Sequence, residues 1–151
     1  MTGNPSPETL RRCRLTWEQT QADWKQARGL SRGEPIQACF LAVQAAANAL
    51  WVVCRLNGLL LVPLHDLGEM LNLAGESDPR FLALTDQVSS LREAVELDPF
   101  APPGSPAAGP TETQAQPDLH ALAGKCLVES AEVLEGVRGY LTDNKKRFFK
   151  P

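Results

Sequence analysis

The chain has two histidines in 151 residues, His65 and His120, and hence few side chains that exchange protons near neutral pH. His65 is followed by Asp66, and Asp66 stands three residues before Glu69, the spacing of a capping box that opens a short helix. The unpaired N–H groups of a helix start collect partial positive charge, so an imidazole placed there lies where an anion is drawn. Two readings fit these residues. Either they cap and anchor the helix, or they face a bound anion. His120 falls just inside the last helix, beside a proline-rich stretch, where a surface role is the default.

A second group of polar side chains lies upstream. Sixteen of the nineteen residues from Ala38 to Leu56 are apolar; the exceptions are Gln44, Asn48 and Arg55. Counted from Gln37 they stand at offsets 7, 11 and 18, which a helix stacks on one narrow stripe. Amides and a guanidinium in a row can line a binding groove. They can equally be the solvent-facing strip of a helix or a dimer contact. Enzymatic signatures are missing: the sequence has no Gly-rich phosphate loop, no H-E-x-x-H, no G-x-S-x-G and no C-x-x-C. Cys13, Cys39, Cys54 and Cys126 are scattered through helical patterns and read as small core hydrophobes in a reducing compartment. No catalytic set, metal site or cofactor is expected.

The elements that must position these groups are helices. Ser6-Pro7-Glu8 starts one, carried by Leu10, Cys13, Trp17, Trp24 and Ala27 down to Gly29, with the Trp pair packing on the next helix. Pro35 opens the central, Ala-rich helix, which stops near Asn57-Gly58 and should be buried nearly all round except for its polar seam. Asp66 opens a short helix to Leu73, ended by Gly75. Ser77-Asp78-Pro79 starts another, with Phe81, Leu84, Val88, Leu91 and Val95 at three-to-four spacing. Residues 98–117 hold six of the twelve prolines and read as a flexible Pro/Gly-rich insertion. The last helix begins near Pro117-Asp118 and runs toward Phe148, closed by Lys145, Lys146, Arg147 and Lys150. The expectation is one all-α domain, 1–151, an up-and-down bundle of four long helices and one short one.

Charge and hydropathy narrow the function classes. The net charge is −3, with a local +3 over residues 1–33 and a local −6 over residues 65–98. An acidic middle argues against that face gripping phosphates. Residues 38–64 are apolar enough to suggest a membrane span, but the aligned seam and the break at Asn57-Gly58 argue against one. No charged-then-apolar leader precedes residue 10. The expected place is therefore the cytoplasm, with no membrane partner.

The stretch from Glu34 to Gly75 also resembles the HEPN domains, small helical modules associated with nucleotides and RNA. Gln44, Ala45, Ala46, Ala49 and Leu50 match their central helix, and His65, Asp66 and Leu67 match the His-Asp-Leu that follows; Trp51 stands where the family carries Lys. HEPN ribonucleases carry an Arg, four to six residues and then a His on the last long helix. Here Arg138 is followed by no His at all. The resemblance thus implies the family's other use, a non-catalytic helical subunit. It would dimerise through its long helices and present Gln44, Asn48, Arg55, His65 and Asp66 to a nucleotide or to a minimal nucleotidyltransferase partner, as in a toxin–antitoxin pair. Two alternatives stay open. One is an atypical, metal-independent endoribonuclease using Arg138 or the Lys145–Arg147 tail with His65 or His120. The other is a small protein-interaction scaffold tethered by its proline-rich loop.

Overall fold

Ser6 opens the first helix, α1 (Pro7–Leu30): its hydroxyl accepts a hydrogen bond from the Thr9 N–H at 3.1 Å, and Pro7 fills a position where no intrahelical donor is needed. A short turn follows, closed by the Glu34 N–H on the Leu30 carbonyl at 2.7 Å, and Pro35 starts α2 (Pro35–Leu56). That helix stops where the sequence places its break. Gly58 has φ of 80°, a left-handed conformation that favours glycine over any residue with a Cβ. The computed structural model describes residues 6–58, 66–96 and 119–144. Beyond α2 these contain α3 (Leu67–Ser77), a 3-10 helix (Pro79–Leu84), α4 (Thr85–Glu96) and α5 (Leu119–Asn144). Among the described residues all regular structure is helical.

Five α-helices pack in a bundle around α2, which touches α1, α5, α3 and α4. Side-chain partners give the directions. Trp24 reaches Leu127 and Ser130 while Gln21 reaches Arg138, so α1 and α5 are antiparallel. Cys39 meets Cys126 and Asn57 meets Tyr140, so α2 and α5 run parallel. Gln87 and Ser90 donate to Glu132 and Glu129, so α4 opposes α5. The order is up, down, up, down, with α2 and α5 as diagonal helices that nevertheless touch. Alanine makes that possible: Ala38, Ala42, Ala45, Ala46 and Ala49 have no exposed surface, and their small side chains let the neighbours approach α2 closely. Leu50, Val53, Leu91, Val133 and Leu141 fill the remaining space.

Four details depart from the sequence reading. The stop expected at Gly75 is not there, because α3 continues to Ser77 and Gly75 is buried inside it. A Cβ at position 75 would stand 2.5 Å from Leu82 Cδ2, so glycine serves a close approach there and not a helix end. The helix expected from Ser77-Asp78-Pro79 begins as a 3-10 helix. Asp78 accepts from the Arg80 N–H, and Phe81 and Leu84, three apart, fall on one face of the tighter winding. Trp24 locks onto α5 by donating from Nε1 to Ser130 Oγ at 3.0 Å, where the sequence reading packs both tryptophans on α2. Finally, α2 is not buried all round. Phe40 is 37% exposed, and Leu41, Val43, Ala47 and Trp51 are only half-buried. Length and composition would suit α2 to a membrane span, yet half of the span's residues are used up against neighbouring helices. The insertion at 98–117, the connection 59–64 and the basic tail 145–150 lie outside the described residues.

The alanine face sets a size limit. Replacing Ala46 with Leu should destabilise the fold by about 1–3 kcal/mol through overpacking. Leu50→Ala should cost about 2–5 kcal/mol through a cavity. Urea unfolding followed by circular dichroism, with an unchanged m-value, checks both.

Candidate functional site

The polar seam of α2 stands in the open. Gln37 and Gln44 are exposed, and Asn48 and Arg55 are half-buried. With 3.6 residues per turn the three residues 44, 48 and 55 fall within an arc of about 40° and span about 16 Å along the axis. Phe40 and Trp51 belong to the same strip, four before Gln44 and three after Asn48. The sequence reading passed over these two as parts of a buried face. Their signal was in the numbering, because both share the seam's helical phase.

Other helices flank the strip. On one side α1 lies close enough for the Arg55 charge to be felt at Cys13. On the other side the Cys54 thiol donates to the Met70 carbonyl of α3 at 3.6 Å, and Ala94 of α4 lies beside Ile36 and Cys39. Helix α5 closes the back. The α1 flank contributes a buried carboxylate, Asp23, only 9% exposed and accepting from Gln19 Nε2 at 2.8 Å. Its phase with Thr16, Thr20 and Ala27 could have disclosed it, since polar residues recur there in an otherwise apolar stripe.

The remaining candidates fall elsewhere. Asp66 caps α3 by accepting from the Glu69 N–H at 2.7 Å, and its other oxygen pairs with Arg92 of α4 at 3.4 Å. Its partners thus belong to the α3–α4 edge, while Gln44, Asn48 and Arg55 share α2. His65 lies outside the described residues. Arg138 is taken up as a clip between α5 and α1: it pairs with Glu135 at 3.6 Å, donates to Gln21 at 3.4 Å and stands over the Trp17 ring at 6.0 Å.

All four cysteines are free and buried. Burial pushes the Cys13 thiol up to about 11, against a weaker opposing pull from Arg55, and pushes Cys54 up to about 11 as well. The hydrogen bond with Cys39, and then burial, raise Cys126. Cys13 and Cys54 are core groups held in the protonated form, while the hydrogen bond with Cys126 outweighs burial and lowers Cys39. Compared with protein-family models, with curated proteins and with solved structures, the chain finds no match.

Two outcomes follow. Asp66→Ala should cost about 1 kcal/mol as a lost helix cap, while Asp66→Asn, which still caps, should cost little; thermal melts of the two variants check this. At pH 8 a thiol with a pKa of about 11 is ionised to about one part in a thousand. Alkylation of Cys13 and Cys54 in the native protein by iodoacetamide should therefore run at least about 100-fold slower than in guanidinium chloride, read site by site by mass spectrometry.

Proposed function

We propose that this chain is a non-catalytic helical binding subunit of the HEPN type, working in the cytoplasm as a homodimer and presenting the α2 strip to a nucleotide or to a minimal nucleotidyltransferase. The observation that carries the ligand half is the company Asn48 keeps. Trp51, half-buried, is three residues on and Arg55 seven on, all in one helical phase. An aromatic plane can stack a base, an amide can read its edge in both donor and acceptor roles, and a guanidinium can take a phosphate. The likeness of Gln44 through Leu50 and of His65-Asp66-Leu67 to the HEPN pattern supports the class, and the missing Arg–His motif supports a binding role over cleavage. Arg138, one of the side chains a ribonuclease reading could use, is engaged between α1 and α5.

Calorimetric titration with ATP, ADP and GTP tests the strip. Binding in the micromolar range is expected, weakened about tenfold or more by Trp51→Ala, the size of one lost stacking contact. A smaller loss, about two- to tenfold, is expected for Asn48→Ala. Unchanged affinity in both variants would remove the strip from the site. A pull-down with the full chain, read by mass spectrometry, tests the protein half; recovery of no nucleotidyltransferase counts against that partner.

A further inference from the structure

Cys39 of α2 and Cys126 of α5 meet where the two helices pack, and their thiols share a hydrogen bond. The proposed function uses neither. Ala38 and Ala42 on α2 and Ala123 on α5 stand next to them along each helix and have no exposed surface, so the helices pack closely at this level. Helix axes about 8–10 Å apart, with Cα atoms on radii of about 2.3 Å, bring facing Cα atoms to about 3.5–5.5 Å. A disulfide spans about 4.4–6.8 Å between Cα atoms, so cysteines facing each other across such a contact can bridge with little backbone movement. The other two cysteines are out of reach. Cys54 is fifteen residues further along α2, about 22 Å by helical rise, and Cys13 lies near Arg55 at that same end.

The two thiols are not equivalent. Cys39, 8% exposed, lies in the wall of a small apolar niche of about 10 Å³, whose other walls are Ile36, Phe40 and Val43 of α2, Ala94 of α4, and Leu119 and Leu122 of α5. A niche of that size has room for about one water-sized molecule. Hydrogen peroxide is little larger; a bulky oxidant is excluded. Cys126 is 1% exposed and takes no part in the niche wall. The hydrogen bond from Cys126 outweighs burial and lowers Cys39, while the same bond, and then burial, raise Cys126. The thiol that a small oxidant reaches is thus the better nucleophile, and the second thiol already stands against it.

We propose that Cys39 and Cys126 are a peroxide-responsive dithiol: hydrogen peroxide oxidises Cys39 through the niche, and Cys126 resolves it to a disulfide that staples α2 to α5. The Cys39 sulfur attacks one peroxide oxygen, the O–O bond breaks, and the departing hydroxide takes up the Cys39 proton as water, leaving a sulfenic acid. The Cys126 sulfur then attacks the Cys39 sulfur, the S–O bond breaks, and the hydroxide leaves with the Cys126 proton as a second water. Two thiols and one peroxide become one disulfide and two waters. A thiol reductant returns the pair to its resting dithiol form. Oxidation closes residues 40–125, with α3, the 3-10 helix and α4, into one loop, so the oxidised bundle resists unfolding more than the reduced one. Neither a ligand on α2 nor a partner protein enters the reaction.

Treating the reduced full chain with about 1 mM hydrogen peroxide at neutral pH decides it. The intact mass should fall by two hydrogens, and peptide mapping should find Cys39 joined to Cys126, at least about tenfold faster than any oxidation of Cys13 or Cys54. Dithiothreitol should reverse the bridge. The oxidised protein should unfold at a higher urea midpoint, and the gain should vanish on reduction. Cys126→Ala should stop at a Cys39 sulfenic acid, captured by dimedone, while Cys39→Ala should leave Cys126 a thiol over the same time. In guanidinium chloride the preference for this pair should disappear, since it belongs to the fold. The absence of a bridge in the folded wild type, a result that needs no variant, would overturn the pair. Bridges from Cys39 or Cys126 to other cysteines, as frequent as the one between them, would overturn it as well. Dimedone capture at Cys126 in Cys39→Ala as readily as at Cys39 in Cys126→Ala would overturn the order of the two thiols.

Discussion

The structure depends on how closely four elements can approach one helix. Ala42, Ala45, Ala46 and Ala49 present almost nothing beyond Cβ, and all are completely buried. A bundle in which α2 touched only its sequence neighbours would leave α5 across the diagonal. The small face removes that gap, so α2 and α5 pack directly while α1 and the α3–α4 column flank them. With α5 behind and flanks on both sides, one strip of α2 remains open among the described residues. That strip bears Gln44, Asn48, Trp51 and Arg55.

Apolar packing draws α5 onto α2 but does not by itself set its rotation, because a face of Leu, Val and Ala is tolerant of small slips. A few polar contacts do. Trp24 donates to Ser130 and to the Leu127 carbonyl, and Asn57 donates to the Tyr140 hydroxyl at 2.8 Å while also holding the Val53 carbonyl at the end of α2. Each is half-buried and geometrically demanding, so a rotated α5 would leave donors unsatisfied. Arg80, bridging Asp78 and Asp143, ties the 3-10 helix to the far end of α5. Once rotation is set, Gly124, Val128 and Glu132 must face outward.

Two distinct surfaces thus emerge on opposite sides of the same helix pair. The α2 side is mixed, with amides, aromatics and a cation along one helix. The α5 side is apolar at its centre and charged at its edges.

The sequence by itself determined the class of fold and most of its punctuation. Helical phase, Ser6-Pro7, Pro35, Asn57-Gly58 and Asp66-x-x-Glu69 are local signals, and the backbone obeys local signals at those points. It also marked the Gln44–Asn48–Arg55 stripe, since residues on one helix share a phase whatever surrounds them. What it could not settle was which neighbour each face meets. Gly75 looked like a terminator until Leu82 was brought beside it, and Trp24 looked like packing for α2 until α5 supplied Ser130. Phe40 and Trp51 looked buried because they are apolar, although both share the helical phase of the polar seam. Val133 shares a helical phase with Cys126, Val137 and Tyr140 while Val128 falls off it, so the numbering separates those two; the Trp24 and Leu84 side chains beside Val128 come only with the fold. Those decisions are contacts between residues far apart in sequence, and they exist only once the chain has closed on itself.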